Sequence, residues 1–572
     1  MGFAAAGAAV AVALRAWVVA SPFGGLDADE AVWGLMTMHA LDGDLALFFW
    51  GQAYGGTQEV LLGVPVFVLA GAGTASVRVA PLLLFALAAV LVWRIGRRLL
   101  GEPGGTAAAV FYAVWPAYVV WKSTRAHGFY GAGSVCALVV VLQALRLAER
   151  PASRRDAVLL GVALGLGWWA TPQTAFVTVP ALVWLVATLR RRAALLWPAL
   201  PAALLGAAPW LAWNLTHSFA SFDAPFEPGD DTYADHVRTF LSATLPTILG
   251  VRVPFTLDWP VGELAGRAAE LAMLVLLVVL LLSGRRRSLL GVIGLAYLFL
   301  QAFSPFAALN EEPRYLVLLA PMLALALAAV VGRDLRAASL TAAALVALSV
   351  VGLRGMARVV PAVAPVAGER VHADLQPALA TLDRLDQRYV RAPYEIAYRI
   401  TFETRERIVA SSLTAVRHEP YQRIVAAASR PAYVFVRGST SERQWRPRLT
   451  GYRRIAADGW SVFVDRTRSS SQSDPADHST NTAGRLPKRN LGCNSVTQYR
   501  LYTSGLTSAQ PSSSASRARE RSTTNPPSIA GGTSSRSTSG VKSRESVHAD
   551  AACCSPNGSS GQASGSASRM AG

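Results

Sequence analysis

The composition of this chain is that of a membrane protein. Of its 572 residues, 52% are hydrophobic and only 16% are charged, and the mean hydropathy is +0.33. This balance is too apolar for a soluble multidomain protein. The formal charge of +18 is carried almost wholly by arginine, which suits bidentate phosphate contacts, but GC-rich coding is the explanation that we weight more heavily.

Eleven apolar stretches along the chain are long enough to cross a bilayer. They cover residues 2–20, 78–95, 105–121, 129–146, 157–172, 174–189, 193–213, 267–283, 288–306, 314–331 and 338–353. The first stretch lacks a basic leader and is followed by a whole polytopic protein, so we predict an uncleaved span there. The sequence thus predicts a polytopic α-helical membrane protein with about eleven transmembrane helices.

Arginine clusters set the predicted orientation of these spans. They follow the second, fourth, sixth, eighth and tenth stretches: Arg94, Arg97 and Arg98; Arg146 to Arg155; Arg190 to Arg192; Arg285 to Arg287; and Arg333 with Arg336. The positive-inside rule places all five short loops in the cytoplasm. The apolar segment 57–73 would reverse this parity if it crossed, so we predict that it lies at the outer interface within a long external loop, 21–77.

Three regions follow from the composition along the chain. Residues 1–355 form the predicted transmembrane module. Residues 356–467 alternate helical patterns with β-branched runs such as "RIVAS" and "AYVFV", which predicts a small α/β domain on the outer side. Residues 468–572 are rich in Ser, Thr, Gly and Arg, so we predict a disordered low-complexity tail.

The first external loop holds the densest set of chemically active side chains. They are Asp27, Asp29, Glu30, Asp42, Asp44 and Glu59, with Trp33, His39, Trp50, Gln52 and Tyr54. In "LDADEAVWGLMTMHALDGD" the apolar residues recur at helical spacing after the acids. Asp29 and Glu30 are therefore expected to cap a surface helix, and this capping role and a catalytic role are evenly balanced alternatives.

Several short motifs resemble the family 39 glycosyltransferases, which have the GT-C membrane fold and include protein O-mannosyltransferases and the aminoarabinose transferase of lipid A. The motifs are the "DE" dipeptide after the first span, "GD" at Gly43 and Asp44, "SVRVAPLLL", "RIGRRLLG" and the later "NEEPRYLVLLAP". Their order and spacing, rather than any single motif, carry the resemblance.

The resemblance implies transfer of a hexose or pentose from a polyprenyl-phosphate donor, with inversion, to a lipid, glycan or protein acceptor at the outer face. Phosphate is a good leaving group, so one base and some cations suffice. Asp29 matches the family's loop aspartate and is the expected base, with Glu30 beside it and Asp27 as the alternative. The expected phosphate ligands are Arg78, Lys122, Arg125 and Arg314.

Other features bear on metal and sugar binding. Some GT-C enzymes hold a divalent metal with a second acid in the loop "WKSTRAHGFY", and no acid stands there in this sequence. We therefore expect no metal and no cofactor, with cations in the metal's place; snorkelling of Lys122 and Arg125 to headgroups is an equally weighted alternative. The expected substrate-binding residues are Trp50, Gln52, Tyr54, Glu59, His127 and Tyr315.

Two other functions fit parts of the pattern. A lipid-sugar transporter or flippase should show repeated halves and ionisable residues at mid-membrane depth, and the charges cluster instead at the outer ends of the spans. A non-catalytic cell-envelope scaffold fits the external domain but leaves the acidic first loop unexplained. We expect a multi-pass protein of a bacterial plasma membrane that contacts membrane lipids and no nucleic acid.

Overall fold

The computed structural model of the chain describes residues 2–223, 231–304, 307, 313–359 and 374–466. The predicted disordered tail lies outside these residues. So do Asn310 to Glu312 of the "NEEPRYLVLLAP" motif.

Helices dominate the first 359 residues. They are α1 (Gly2–Ala20), α2 (Ala28–Leu41), α3 (Gln58–Ala70), α4 (Thr74–Val77), α5 (Val79–Ala113), α6 (Tyr118–Lys122), α7 (Tyr130–Glu149), α8 (Arg154–Ala170), α9 (Ala175–Leu189), α10 (Ala199–Gly206), α11 (Ala208–Thr216), α12 (Tyr233–Thr239), α13 (Leu245–Ile248), α14 (Glu263–Leu282), α15 (Arg285–Gln301), α16 (Ala320–Val331) and α17 (Leu335–Val359). In the described part of the chain, six helical segments are long and apolar enough to cross a membrane. The predicted count of about eleven spans stays a prediction.

Helix α5 consists of two antiparallel halves rather than one rod. Gly101 interrupts it with φ 83° and ψ −179°, a conformation that glycine adopts without strain. The two halves pack so closely that a Cβ on Gly96 would collide with the Cα of Gly105. The predicted span 78–95 lies in the first arm of a tight helical hairpin, whereas the second arm ends at Ala113, short of the predicted end at residue 121.

The arginine-rich loops meet at the end of the helix bundle where this hairpin turns. Arg98 donates to Glu149 at 2.6 Å, and Arg286 lies 3.5 Å from the same carboxylate. Gly332 packs against Gly104 at this end as well. Loops that the charge pattern assigns to one side of the membrane thus lie together in space.

Small residues allow other helix pairs to approach closely. Gly161 and Gly165 of α8 face Ala199 and Gly206 of α10, where any side chain on the glycines would strike the opposite backbone. Close backbone contact through small residues is how membrane helices associate, because lipid provides little hydrophobic drive.

The first loop begins with a well-capped helix. Asp27 is the N-cap of α2, since its side chain accepts from the backbone N–H of Glu30, while the Glu30 carboxylate accepts from the N–H of Asp27. The prediction that Asp29 and Glu30 cap this helix is therefore wrong for Asp29, because the reciprocal capping box uses residues three apart. A two-stranded hairpin, β1 (Phe48–Phe49) and β2 (Gln52–Gly56), and helix α3 follow.

The C-terminal domain is an α/β unit, as predicted. Its elements are α18 (Gln376–Arg384), β3 (Tyr389–Ala392), α19 (Tyr394–Glu403), β4 (Val409–Ser412), α20 (Glu419–Ala427), β5 (Ala432–Val436), α21 (Thr440–Trp445), β6 (Tyr452–Ala457) and β7 (Trp460–Asp465). The strand order is β4-β3-β5-β7-β6, with β4, β3 and β5 parallel and β7 antiparallel to both neighbours. Ala432 and Val434 face one core while Tyr433 and Phe435 face another, as strand alternation requires.

This domain packs on the first loop, at the opposite end of the bundle from the arginine-rich loops. Helix α19 lies against α2, where Phe402 occupies the space that a side chain on Gly34 would need. Phe402 also stacks on Phe67 of α3. Both phenylalanines belong to the same hydrophobic core as the bundle helices. The last domain is therefore fixed to the loop that holds the predicted catalytic residues.

The shared position of the arginine-rich loops generates a topological prediction. An alkaline phosphatase reporter, active only outside the cytoplasm, should be inactive when fused after Arg98 or Arg287 and active when fused after Glu403. Phosphatase activity at Arg98 would instead show that residues 57–73 cross the membrane, and the first loop would have to be redrawn.

Candidate active site

A buried carboxylate fixes the start of α2. Both oxygens of Glu30 are occupied, Oε1 by Arg78 and by the N–H of Ala126 at 3.1 Å, and Oε2 by Arg125 at 2.8 Å. All three ionised side chains are buried. Their opposite charges and direct hydrogen bonds offset the cost of removing them from water.

The two arginines also bind the chain just before α2. Arg78 donates to the carbonyl of Gly24 at 2.7 Å and to that of Thr124 at 2.8 Å, and Arg125 donates to Phe23 O at 2.5 Å. The guanidinium groups thus hold the turn after α1 against the loop after α6. The structure gives Arg78 a positioning role, and whether it also contacts phosphate stays a prediction.

Asp27 faces the same interior. His127 Nε2 lies 2.5 Å from its Oδ2, and the other ring nitrogen of His127 contacts Lys122 Nζ. Burial alone would raise the pKa of Asp27, but the neighbouring His127 and Arg125 hold it well below its usual range. Asp27 is therefore an anion bound by His127 and lying 3.9 Å from the Arg125 guanidinium.

A cavity opens beside these cations. Its walls combine apolar side chains of α5 and nearby segments with a polar end. The lining residues are Glu59, Pro81, Leu84, Phe85, Ala88, Tyr112, Val119, Lys122, Ser123, Arg125, His127, Tyr130, Gly131, Ser134 and Val317. Four residues predicted for the site, Glu59, Lys122, Arg125 and His127, therefore share one cavity with an apolar wall.

Lys122 and Glu59, two polar residues of the cavity, each have a specific neighbour. Lys122 Nζ lies 4.6 Å above the ring of Tyr130, so its charge is held at the polar end. Glu59 accepts from the N–H of Ala132 at 2.9 Å, and burial raises its pKa to about 7. Arg15 of α1 lies behind this wall, over the ring of Phe85 at 3.9 Å, with its Nε donating to Ser123 Oγ.

Asp29 points away from this interior, toward the C-terminal domain. Its Oδ1 accepts from the hydroxyl of Tyr394 and lies 3.8 Å from Arg417 Nη2. The Asp29 side chain is 28% exposed, whereas Glu30 is completely buried. Of the two predicted catalytic acids, only Asp29 is accessible.

Two other predicted residues, Gln52 and Tyr54, lie beside Arg417, which approaches Asp29. With the Gln52 amide oxygen turned toward them, Arg417 donates to it at 3.1 and 3.2 Å and Tyr54 at 3.1 Å. Burial raises the pKa of Tyr54 to about 12, opposed by the charges of Arg417 and Arg314. Tyr315 lies next to Arg314, with its ring 6.4 Å from that of Tyr130.

Trp50 is part of the contact between the first loop and the C-terminal domain. Its ring stacks on His418 at 3.8 Å and meets His39 edge-on at 4.9 Å. His39 lies 3.0 Å from Glu406, and although burial lowers the pKa of His39, Glu406 and Asp44 raise it overall. Burial lowers the pKa of His418 to about 3, so the stacked ring is neutral.

The sequence did not identify Tyr394 and Arg417 as site residues. Both lie more than 360 positions after Asp29, in a domain whose pattern specifies only helices and strands. Burial and the negative charges of Asp29 and Asp27 raise the pKa of Glu395, next to Tyr394, well above its usual range. Only the tertiary packing of α19 on α2 brings these groups together.

Asp27, Glu30 and His127 could between them offer three metal ligands, because one atom of each lies within 4.8 Å of the others. In the structure both Glu30 oxygens are bound by arginine, and Asp27 Oδ2 is bound by His127. Two guanidinium groups beside the cluster repel a cation. These donors fit ion pairs better than a metal, and the expected absence of a metal stays a prediction.

Comparison with known proteins supports the predicted resemblance. Residues 65–213 match the model of the dolichyl-phosphate-mannose-protein mannosyltransferase family. This segment holds the α5 hairpin, the cavity wall and the loop with Lys122, Arg125 and His127. A search of curated proteins finds no match.

Solved structures show the same fold. ArnT from Cupriavidus metallidurans bound to undecaprenyl phosphate matches with a TM-score of 0.54 at 13% identity, covering 81% of this chain and 98% of that one. Its apo form gives a TM-score of 0.53 at 12% identity, covering 81% and 97%. The predicted GT-C-like fold is confirmed, and the family match and the fold together indicate a membrane glycosyltransferase.

The buried ion cluster generates a stability prediction. Glu30→Gln removes the carboxylate that both buried guanidinium groups bind and leaves only Asp27, 3.9 Å from Arg125, so unfolding free energy should fall by about 3–5 kcal/mol. Titration of the purified protein with sodium dodecyl sulfate, followed by tryptophan fluorescence, measures this loss. The matched control is Glu102→Gln at the exposed pair with Arg97, which should change stability by at most about 1 kcal/mol. Equal effects of the two substitutions would contradict a special role for Glu30.

Proposed function

We propose that this protein is an inverting glycosyltransferase that moves a sugar from a polyprenyl-phosphate donor to an acceptor hydroxyl at the outer membrane face. The observation that carries the proposal is the cavity, which joins an apolar wall to a cationic end at Lys122 and Arg125. A polyprenyl phosphate has this same division, an apolar chain ending in an anion. The undecaprenyl phosphate bound by the structurally similar ArnT supports this class of donor.

The cationic end suits a leaving phosphate. As the bond between the anomeric carbon and the phosphate oxygen breaks, negative charge accumulates on the phosphate. The ammonium of Lys122 lines the cavity, and the guanidinium of Arg125, which also binds Glu30, lies beside it. Arg314 adds positive charge near Tyr54 on the side of the site that faces the C-terminal domain.

The accessible carboxylate of Asp29 is the proposed base. Asp27 and Glu30 are buried and held by cations, so neither is available to take a proton from an incoming hydroxyl. In the proposed reaction the acceptor oxygen attacks the anomeric carbon from the face opposite the phosphate, and its proton passes to Asp29. The products are the glycosylated acceptor, with inverted configuration, and the polyprenyl phosphate.

In this proposal, sugar and acceptor bind between the first loop and the C-terminal domain, because the Asp29 side chain lies there. Gln52 and Tyr54 offer an amide and a hydroxyl there, and Glu59 and His127 offer polar groups in the cavity. These side chains supply the hydrogen bonds that a sugar ring needs. In this proposal the C-terminal domain lies outside the cytoplasm of a plasma membrane, as the arginine-rich loops at the opposite end favour.

Substitution of Asp29 tests the base. Asp29→Asn keeps an oxygen that accepts from Tyr394, so the protein should fold and still bind undecaprenyl phosphate, while turnover falls about 10²- to 10⁴-fold. Turnover is measured as transfer of label from a panel of undecaprenyl-phosphate-linked pentoses and hexoses to membrane lipid and glycan. Asp42→Asn, at the exposed C-terminal end of α2, is the control and should keep wild-type turnover. A fully active Asp29→Asn enzyme would exclude this residue as the base.

Substitution of Lys122 tests the donor site. Lys122→Gln removes the ammonium from the cavity, so the affinity for undecaprenyl phosphate should fall about 10- to 100-fold, the usual worth of a charged hydrogen bond. Equilibrium binding of undecaprenyl phosphate in detergent measures this change. Arg191→Gln, an exposed charge at the arginine-rich end, is the control and should bind normally. Unchanged affinity of Lys122→Gln would favour the alternative in which Lys122 only contacts lipid headgroups.

A further inference from the structure

The two carboxylate oxygens of Asp29 have different surroundings. Tyr394 donates to Oδ1, and Arg417 lies nearest to this same atom. Within the described part of the chain, Oδ2 has no hydrogen-bond partner. The side chain is therefore anchored through one oxygen while the other remains available.

The anchor belongs to the C-terminal domain and is itself well supported. The hydroxyl of Tyr398 accepts from the backbone N–H of Arg417 at 2.6 Å and from that of His418 at 3.0 Å, which fixes the loop before α20. Arg417 Nε donates to the hydroxyl of Tyr394 at 3.3 Å. Two groups that contact Asp29 are thus held relative to each other before any substrate binds.

Resting on the proposed function, we infer that Tyr394 and Arg417 are positioning residues of the transfer reaction, which hold Oδ1 so that Oδ2 faces the acceptor hydroxyl. A freely rotating aspartate would spend little time in the geometry that proton transfer needs, and fixed orientation is worth a large share of the rate. The C-terminal domain therefore completes the active site.

The ionisable groups around Asp29 are consistent with this role. Burial and the charge of Asp29 raise the pKa of Tyr394 well above its usual value, so the phenol keeps its proton and remains a donor. Tyr54 and Glu395 are further titratable groups on which the charge of Asp29 acts, and Asp27 is the N-cap of the same helix. The positive charge of Arg417 compensates the negative charge of these acids.

The test compares Tyr394→Phe in two backgrounds. In the wild-type enzyme, loss of the hydroxyl should lower the single-turnover transfer rate about 10- to 100-fold, because a hydrogen bond to a charged group is lost. Donor KM and binding of undecaprenyl phosphate should stay within about twofold. In the Asp29→Asn background the same substitution should change the residual rate by less than about twofold, since the group that it positions no longer acts as a base.

Two further variants complete the experiment. Arg417→Lys keeps the charge but loses the planar fork, and should lower the rate about tenfold with unchanged donor KM. It provides the test if Tyr394→Phe fails to fold. Tyr389→Phe, on an exposed part of β3, is the matched control and should keep the wild-type rate.

The outcomes separate this inference from the proposed function. An inactive Asp29→Asn enzyme together with fully active Tyr394→Phe and Arg417→Lys enzymes would overturn the positioning role and leave the base in place. An active Asp29→Asn enzyme would overturn the proposed base itself. An equal loss from Tyr394→Phe in both backgrounds would show that the tyrosine acts independently of Asp29, and would also overturn the inference.

Discussion

The rest of the structure depends on one buried interaction, the Glu30 carboxylate held between Arg78 and Arg125. It joins three segments that are distant in sequence, the turn before α2, the start of α5 and the loop after α6. Buried charges are expensive near a membrane, and breaking one partner leaves the others uncompensated. The arrangement is therefore rigid, and it fixes the direction in which the first turn of α2 presents its acids.

The acidic side chains at the start of α2 point in two different directions. Asp27 is the N-cap of α2, with extended backbone, whereas Asp29 lies in the first helical turn, and the two side chains contact different neighbours. Asp27 contacts His127 and the cavity, whereas Asp29 contacts Tyr394 and Arg417. The start of α2 thus lies between the cation-rich cavity and the C-terminal domain.

Local signals in the sequence predicted much of the fold. The apolar stretches gave the helices of the bundle, the arginine clusters gave loops that meet at one end, and the strand patterns gave the sheet of the C-terminal domain. The acidic start of α2 also indicated where to look for the candidate site, because acids in a first turn are visible locally. The sequence did not show which of these acids are buried and which is accessible. That difference depends on Arg78, Arg125 and His127, which approach the acids through tertiary packing. The contact of Tyr394 with Asp29 joins residues 365 positions apart and has no local signal at all.

The docking of α19 on α2 has a consequence for biogenesis. A ribosome delivers α1 and the first loop long before it delivers Tyr394 and Arg417, so a nascent chain with all its bundle helices inserted still lacks both groups that contact Asp29. Truncated products that stop before residue 394 cannot assemble this contact, however well they insert. Asp29 thus acquires its two neighbours from the C-terminal domain only after that domain has been synthesised and has folded against α2.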